Sequence, residues 1–313
     1  MPRWLNALLA ATAVSLLAAC GGGIDDPKHI TATVQGTPQF SVLSEAVTAA
    51  GLEATLRGEG PFTVFAPTND AFTALLGELG ITKDQLLADR ALLTQVLTYH
   101  VVAGEVPKAA VPLGRPITTV QGGIFKVDAV GADLVISDGR NRSAKITATD
   151  VVAANGVIHV VDRVILPAHR NVVETAVALA SADPAEFTVL VDAVVAADLA
   201  GALSGSGPFT VFAPTDAAFA ALLGELGVTK AQLLADKDLL TAVLTYHVVP
   251  GRVLKAQVPV GVAIPTLQGG SFTVDNALQI TDGRDRRAAI VATDVLATNG
   301  VIHVIDNVIL PSP

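Results

Sequence analysis

The two tyrosines of this chain each stand directly before a histidine, in Tyr99-His100 and Tyr246-His247. A phenol beside an imidazole can stack on and hydrogen-bond a ligand. It can equally be a satisfied polar pair that fixes a helix-to-strand junction, because a buried Tyr or His needs a partner. His159 and His303 lie in runs of Val and Ile, where a lone His packs in a core more often than it binds a ligand. The six histidines show no H-x-x-x-H spacing and the one cysteine is remote from them, so no metal site is expected. No Gly-x-Ser-x-Gly elbow is present. Gly58-Glu-Gly60 and Gly205-Ser-Gly207 are each followed by Pro, which removes an N–H that a phosphate loop would need. Asp150, Asp162, Asp294 and Asp306 fall at turns and strand ends, where capping accounts for them. Asp138-Gly-Arg-Asn-Arg142 and Asp282-Gly-Arg-Asp-Arg-Arg287 place cations at expected hairpin tips. They read as solvated turns, or as a cationic spot for acidic polysaccharide or lipid headgroups. Neither catalysis nor a cofactor is expected.

These residues come in pairs because the chain repeats. Gly60-Pro-Phe-Thr-Val-Phe-Ala-Pro-Thr68 returns at Gly207 to Thr215, and Leu97-Thr-Tyr-His-Val-Val102 at Leu244 to Val249, both about 147 residues later. Asn155-Gly-Val-Ile-His-Val-Val-Asp162 returns at Asn299 to Asp306 after about 144, so one hairpin is shorter in the second copy. A period this long is a domain, not a solenoid repeat.

Each copy reads as helical first and β-rich second, an α+β arrangement. Leu43, Ala46, Val47 and Ala50 share one helical face, as do Leu190, Ala193, Val194 and Ala197. Phe62 to Ala66 reads as a buried strand ended by Pro67, with Thr68 capping the next helix. Thr82 to Gln85 and Thr229 to Gln232 have capping-box spacing. Leu92, Leu93, Val96 and Leu97 make a further stripe that ends near Tyr99-His100. Gly122-Gly123, Asp138-Gly139 and Asn155-Gly156 punctuate the strands after it.

The N-terminus belongs to neither copy. Arg3 precedes an apolar stretch from Leu5 to Leu17, and Leu17-Ala-Ala-Cys20 then resembles a bacterial lipobox. That resemblance implies cleavage before Cys20 and acylation of it; an ordinary signal peptide is the plainer alternative. Gly21 after the Cys is similar to lipoproteins sorted to the outer membrane. The expected domains are 1–19 signal peptide, 20–28 acylated Cys and tether, 29–167 first copy, 168–170 linker and 171–313 second copy. The net charge of −9 argues against nucleic acid or anionic lipid as partner, which leaves the membrane reached through the lipid alone.

Thr63-Val-Phe-Ala-Pro-Thr-Asn-Asp-Ala-Phe72 and Thr210 to Phe219 resemble the first homology segment of the fasciclin domain family. Gly156 to Asp162 and Gly300 to Asp306, followed by Leu166-Pro167 and Leu310-Pro311, are similar to its second, with the Tyr-His pairs between. The resemblance implies a β-sheet wedge packed with helices, and adhesion or extracellular binding in place of catalysis. In animal matrix members integrin contact has been tied to the Tyr-His motif and to an Asp-Ile pair before the second segment. The latter falls here on Asp150-Val151 and Asp294-Val295, with Val for Ile. Tyr99, His100, Tyr246, His247, Asp150, Val151, Asp294 and Val295 are therefore the candidate partner-binding residues. The partner expected is a protein or polysaccharide at the cell surface or in the envelope. An envelope scaffold is the alternative, and a carbohydrate-acting enzyme is a third reading.

Overall fold

A computed structural model describes residues 28–313, so the expectations for the leader and Cys20 lie outside the described residues. The first copy runs α1 (Ile30–Gln35), α2 (Ser41–Ala50), α3 (Glu53–Leu56), β1 (Phe62–Pro67), α4 (Asn69–Leu79), α5 (Lys83–Ala88), α6 (Arg90–Tyr99), β2 (Val101–Ala103), β3 (Pro116–Thr118), β4 (Ile124–Val130), β5 (Asp133–Ser137), β6 (Ser143–Ala153) and β7 (Gly156–Val161). The second copy repeats this as α7 (Val172–Ala180), α8 (Thr188–Ala196), α9 (Ala200–Leu203), β8 (Phe209–Pro214), α10 (Asp216–Leu226), α11 (Lys230–Ala235) and α12 (Lys237–Tyr246). Its strands continue as β9 (Val248–Pro250), β10 (Ile264–Pro265), β11 (Ser271–Val274), β12 (Gln279–Thr281), β13 (Arg287–Ala297) and β14 (Gly300–Ile305). The shorter β11 and β12 are the shortened hairpin.

Each copy holds one seven-stranded sheet. The order is β2-β1-β7-β6-β5-β4-β3 in the first, and β9-β8-β14-β13-β12-β11-β10 in the second. The central pair, β1 with β7, is parallel and its other neighbours are antiparallel. Two apolar layers hold the sheet. Helical residues such as Leu43, Phe72, Leu93 and Leu97 pack with Ile158 on one side, and Phe65, Phe125, Val127 and Ile136 pack on the other.

The local signals explain the helix ends. Thr68 accepts from the Ala71 N–H, and both Thr82 and Thr229 close reciprocal capping boxes with Gln85 and Gln232. The Asn-Gly turn before β7 is more than a turn. Asn155 accepts from the Ile30 N–H at 3.0 Å and donates to the Leu56 and Gly58 carbonyls, and Asn299 repeats this with Val172, Leu203 and Gly205. Gly156 (φ +147°) lies so close to β1 that a Cβ there would sit 1.9 Å from the Phe62 carbonyl oxygen, which excludes any side chain.

Two features depart from expectation. Helix α1 precedes the first helix read from the sequence: Thr31, Thr33 and Gln35 dilute its apolar face, which the second copy's Val173 and Val177 make plain in α7. The Asp-Gly tips expose Asn141, Arg284 and Asp285 as solvated turns would, but their carboxylates are not solvated. Asp138 is buried and accepts from the Arg140, Arg142 and Leu166 N–H groups, with Arg142 clamped across it to the Val164 carbonyl. Asp282 does the same for Arg284, Arg286 and Leu310. The carboxylate staples the hairpin tip to the irregular segment that follows β7 or β14, and in the first copy this makes Arg142 a structural residue.

Candidate functional site

The structure places both Tyr-His pairs in the core. Tyr99 ends α6, with its ring edge-on to Phe125, and its hydroxyl donates to the Ile124 carbonyl. Tyr246 likewise donates to the Ser271 carbonyl at 2.7 Å. His100 Nδ1–H donates to the Val96 carbonyl at 2.7 Å, and Nε2 accepts from the Ile165 N–H at 3.0 Å. His247 makes the matching bonds to Val243 and Ile309. One nitrogen must donate and the other accept, so the neutral imidazole fits and the cation does not. Burial pushes both imidazoles down to about 4, against the smaller pull of the carbonyls they bond. Burial also pushes the Tyr99 phenol upward. The pairs lock the end of the α6 and α12 helices to the segment after β7 and β14, and neither ring reaches solvent.

The Asp-Val pairs sit elsewhere and differ between copies. Each Asp lies at a left-handed bend in the long strand, φ +59° at Asp150 and +63° at Asp294, where the ladder shifts register. Three bonds hold that bend. Asp150 Oδ1 accepts from the Lys108 N–H at 2.8 Å, and the Asp150 N–H reaches His159 Nδ1 at 3.3 Å. His159 Nε2–H then donates to the Val106 carbonyl at 2.9 Å. Asp294, Lys255, His303 and Val253 repeat the set. The apolar-strand histidines therefore support the Asp bend from beneath, a role that their sequence setting does not reveal.

Beyond the bend the copies part. In the first, Asp150, Val151 and Val152 are exposed, Val152 to 66%. In the second, Asp294 and Leu296 are buried under the first copy. Lys126 Nζ lies 2.8 Å from Asp294 Oδ2, with Asp128 at 3.0 Å. Burial alone would lower the Lys126 pKa, but these carboxylates outweigh it and the net shift is upward. The Asn141 amide accepts from the Leu296 N–H at 2.6 Å and donates to its carbonyl at 3.1 Å. Ile124, Leu254, Leu296 and Val301 close an apolar patch across the seam. Sequence reading missed Lys126 and Asn141; their counterparts in the repeat, Thr273 and Asp285, mark a difference between the copies but not what the two residues meet.

The fasciclin domain family model matches residues 38–167 and again 185–311. The chain belongs to the fasciclin domain family. Human periostin is 27% identical over 88% of this chain, which spans 30% of that protein's length. A Synechocystis protein, sll1483, is 51% identical over 40% of this chain and 67% of its own length. The immunogenic protein MPB70 of Mycobacterium bovis is 38% identical over 48% of this chain and 74% of its own. Among the described residues no helix is long and apolar enough to cross a membrane, and no three His, Cys, Asp or Glu side chains gather as a metal site would require.

Proposed function

We propose that this tandem fasciclin protein is a non-catalytic binding module of the bacterial envelope, tethered through Cys20, and that it meets its partner through the Asp150-Val151-Val152 face. One observation carries this reading. Of the four candidate motifs, the two Tyr-His pairs are buried and bonded, Asp294-Val295 is engaged at the domain seam, and only Asp150-Val151 is open. An exposed carboxylate beside two exposed valines on a rigid, doubly supported bend is a preorganised contact surface. Family membership and the relation to bacterial proteins support an extracytoplasmic binding role.

The test compares cells carrying the natural protein with cells carrying Val152→Asp, an exposed position where the fold should be unaffected. Adhesion to one another and to a solid support should fall several-fold with no change in melting temperature. Equal adhesion would remove this face from the contact. Protease shaving of intact cells accompanies the assay: degradation supports an outward-facing adhesin, and protection until lysis favours a periplasmic scaffold acting through the same face.

A further inference from the structure

The seam is a plug in a socket. The plug is on the first domain: Ile124 and Lys126 on β4, and Asn141 at the β5–β6 tip. The socket is on the second: Asp294 to Leu296 on β13, backed by Leu254 and Val301. The plug supplies one cation, one two-way amide and one aliphatic side chain. The socket supplies a carboxylate, one residue's outward N–H and C=O, and an apolar bed.

The first domain carries the same socket. Val152 pairs with Val157 as Leu296 pairs with Val301, so its N–H and C=O point as those of Leu296 do. Asp150 is oriented by the same Lys and His partners as Asp294, at distances within about 0.1 Å. Pro107 stands where Leu254 does and is exposed. The second domain has lost the plug: Ser271, Thr273 and Asp285 replace Ile124, Lys126 and Asn141. It has neither the cation nor the aliphatic group, and its Asp285 carboxylate would face the Val152 carbonyl. Among the described residues the one complete plug is already engaged within the chain. Wild-type copies are therefore not expected to fill each other's open socket.

We infer that the open Asp150–Val152 socket is a docking site for a fasciclin-type β-edge on another protein, one that presents a lysine to Asp150, an Asn-type amide to the Val152 main chain and an aliphatic side chain to Val152 itself. This rests on the reading of that face as a contact and adds the chemistry of its partner. The duplicated half of the molecule carries the inference, because there the same socket holds such an edge with matched charge.

The test rebuilds the plug on the second domain of the full chain with Ser271→Ile, Thr273→Lys and Asp285→Asn. All three new residues already occupy the equivalent positions in the first domain, and Ser271 and Asp285 are exposed, so folding should survive. Sedimentation velocity up to about 1 mM should show head-to-tail oligomers that weaken as salt rises. Adding Val152→Asp should return the chain to monomer. The Thr273→Lys, Asp285→Asn pair alone, checked by melting temperature, serves if the triple variant folds poorly, and should oligomerise more weakly. A folded variant that stays monomeric, or oligomers indifferent to Val152→Asp, overturns the inference. If Val152→Asp abolishes adhesion while the rebuilt plug stays monomeric, the face is a contact for other chemistry and only this inference falls. If both fail, the face itself is misassigned.

Discussion

Asp150 and Asp294 do the same work within their own domains and different work beyond them. Both accept the N–H of a lysine distant in sequence, Lys108 for Asp150 and Lys255 for Asp294, and both sit on a buried histidine. One is then covered by a neighbouring domain and the other faces water. A motif that recurs in sequence is thus read twice: as a structural bend wherever it occurs, and as a docking edge only where something docks. The Tyr-His pairs provide the contrast, since they are buried alike in both copies.

That contrast predicts how the copies respond to acid. His100 and His247 have folded pKa values of about 4, below the ordinary 6.5. Above 6.5 both folded and unfolded imidazoles are neutral and the histidines add no pH dependence. As pH falls from 6.5 towards 4, the unfolded chain takes up protons that the folded chain does not, and stability is lost. At about 1.4 kcal/mol per pH unit, the loss is about 3 kcal/mol from each of these two histidines, and buried His303, whose pKa is also lowered, adds to it in the second domain. Urea unfolding at pH 7 and pH 4.5 should show it, and His100→Gln should flatten the slope for its domain alone. Equal pH slopes in wild type and variant would mean that His100 is not the titrating group.

Substitutions at the two Asp residues should act unequally. Asp294→Asn leaves Lys126 buried with only Asp128 to balance it, so roughly 2–4 kcal/mol of stability at the seam should be lost. Asp150→Asn keeps an oxygen for the Lys108 N–H and breaks no buried pair, so its cost should stay under about 1 kcal/mol. Differential scanning calorimetry should show the first variant splitting into two transitions as the domains uncouple. Equal effects at both positions would remove the distinction between open and closed sockets.

Much of this architecture was legible in advance. The period, the capping boxes, the Asn-Gly turns and the α+β order follow from short-range rules that residues obey wherever they sit, and the three motif segments gave the family. What was not legible was relational. Nothing local in Lys126 distinguishes a surface lysine from one that crosses to Asp294, residues 168 positions apart in sequence. Asp138 looked like an ordinary turn residue because the backbone N–H of Leu166, which it accepts, is 28 positions away. His159 and His303 read correctly as packing residues, but their support of the Asp bend depends on a register that only the folded sheet supplies. Burial of the Tyr-His pairs and exposure of Asp150 are likewise properties of the assembled surface.

A finer version of the comparison lies at the hairpin tips. Asn141→Gly should cost about 1–2 kcal/mol, because it removes both amide bonds to Leu296 at the seam. Asp285→Gly, at the equivalent tip with the same left-handed φ, removes no side-chain bond among the described residues and should change stability by less than about 0.5 kcal/mol. Glycine suits both backbones, so strain cancels between the two and the difference isolates the seam.

The smallest expected effect concerns a surface where the copies diverge without consequence for the core. The outer walls of the cleft between α7 and α8 carry Val173, Val177, Val191 and Val195, where the cleft between α1 and α2 has Thr31, Gln35 and Ser44, and Thr48 occupies the position equivalent to Val195. Val195 is 66% exposed, so it owes the fold little burial, and Thr48 stands in the same place in a domain that packs equally well. Val and Thr are both β-branched with similar helix propensity. Val195→Thr should therefore leave the second domain's urea midpoint within about 0.5 kcal/mol of wild type. A loss well beyond that would show that the second domain uses its valine rim for stability, and that the two copies divide their labour in the helical layer as well as at the seam.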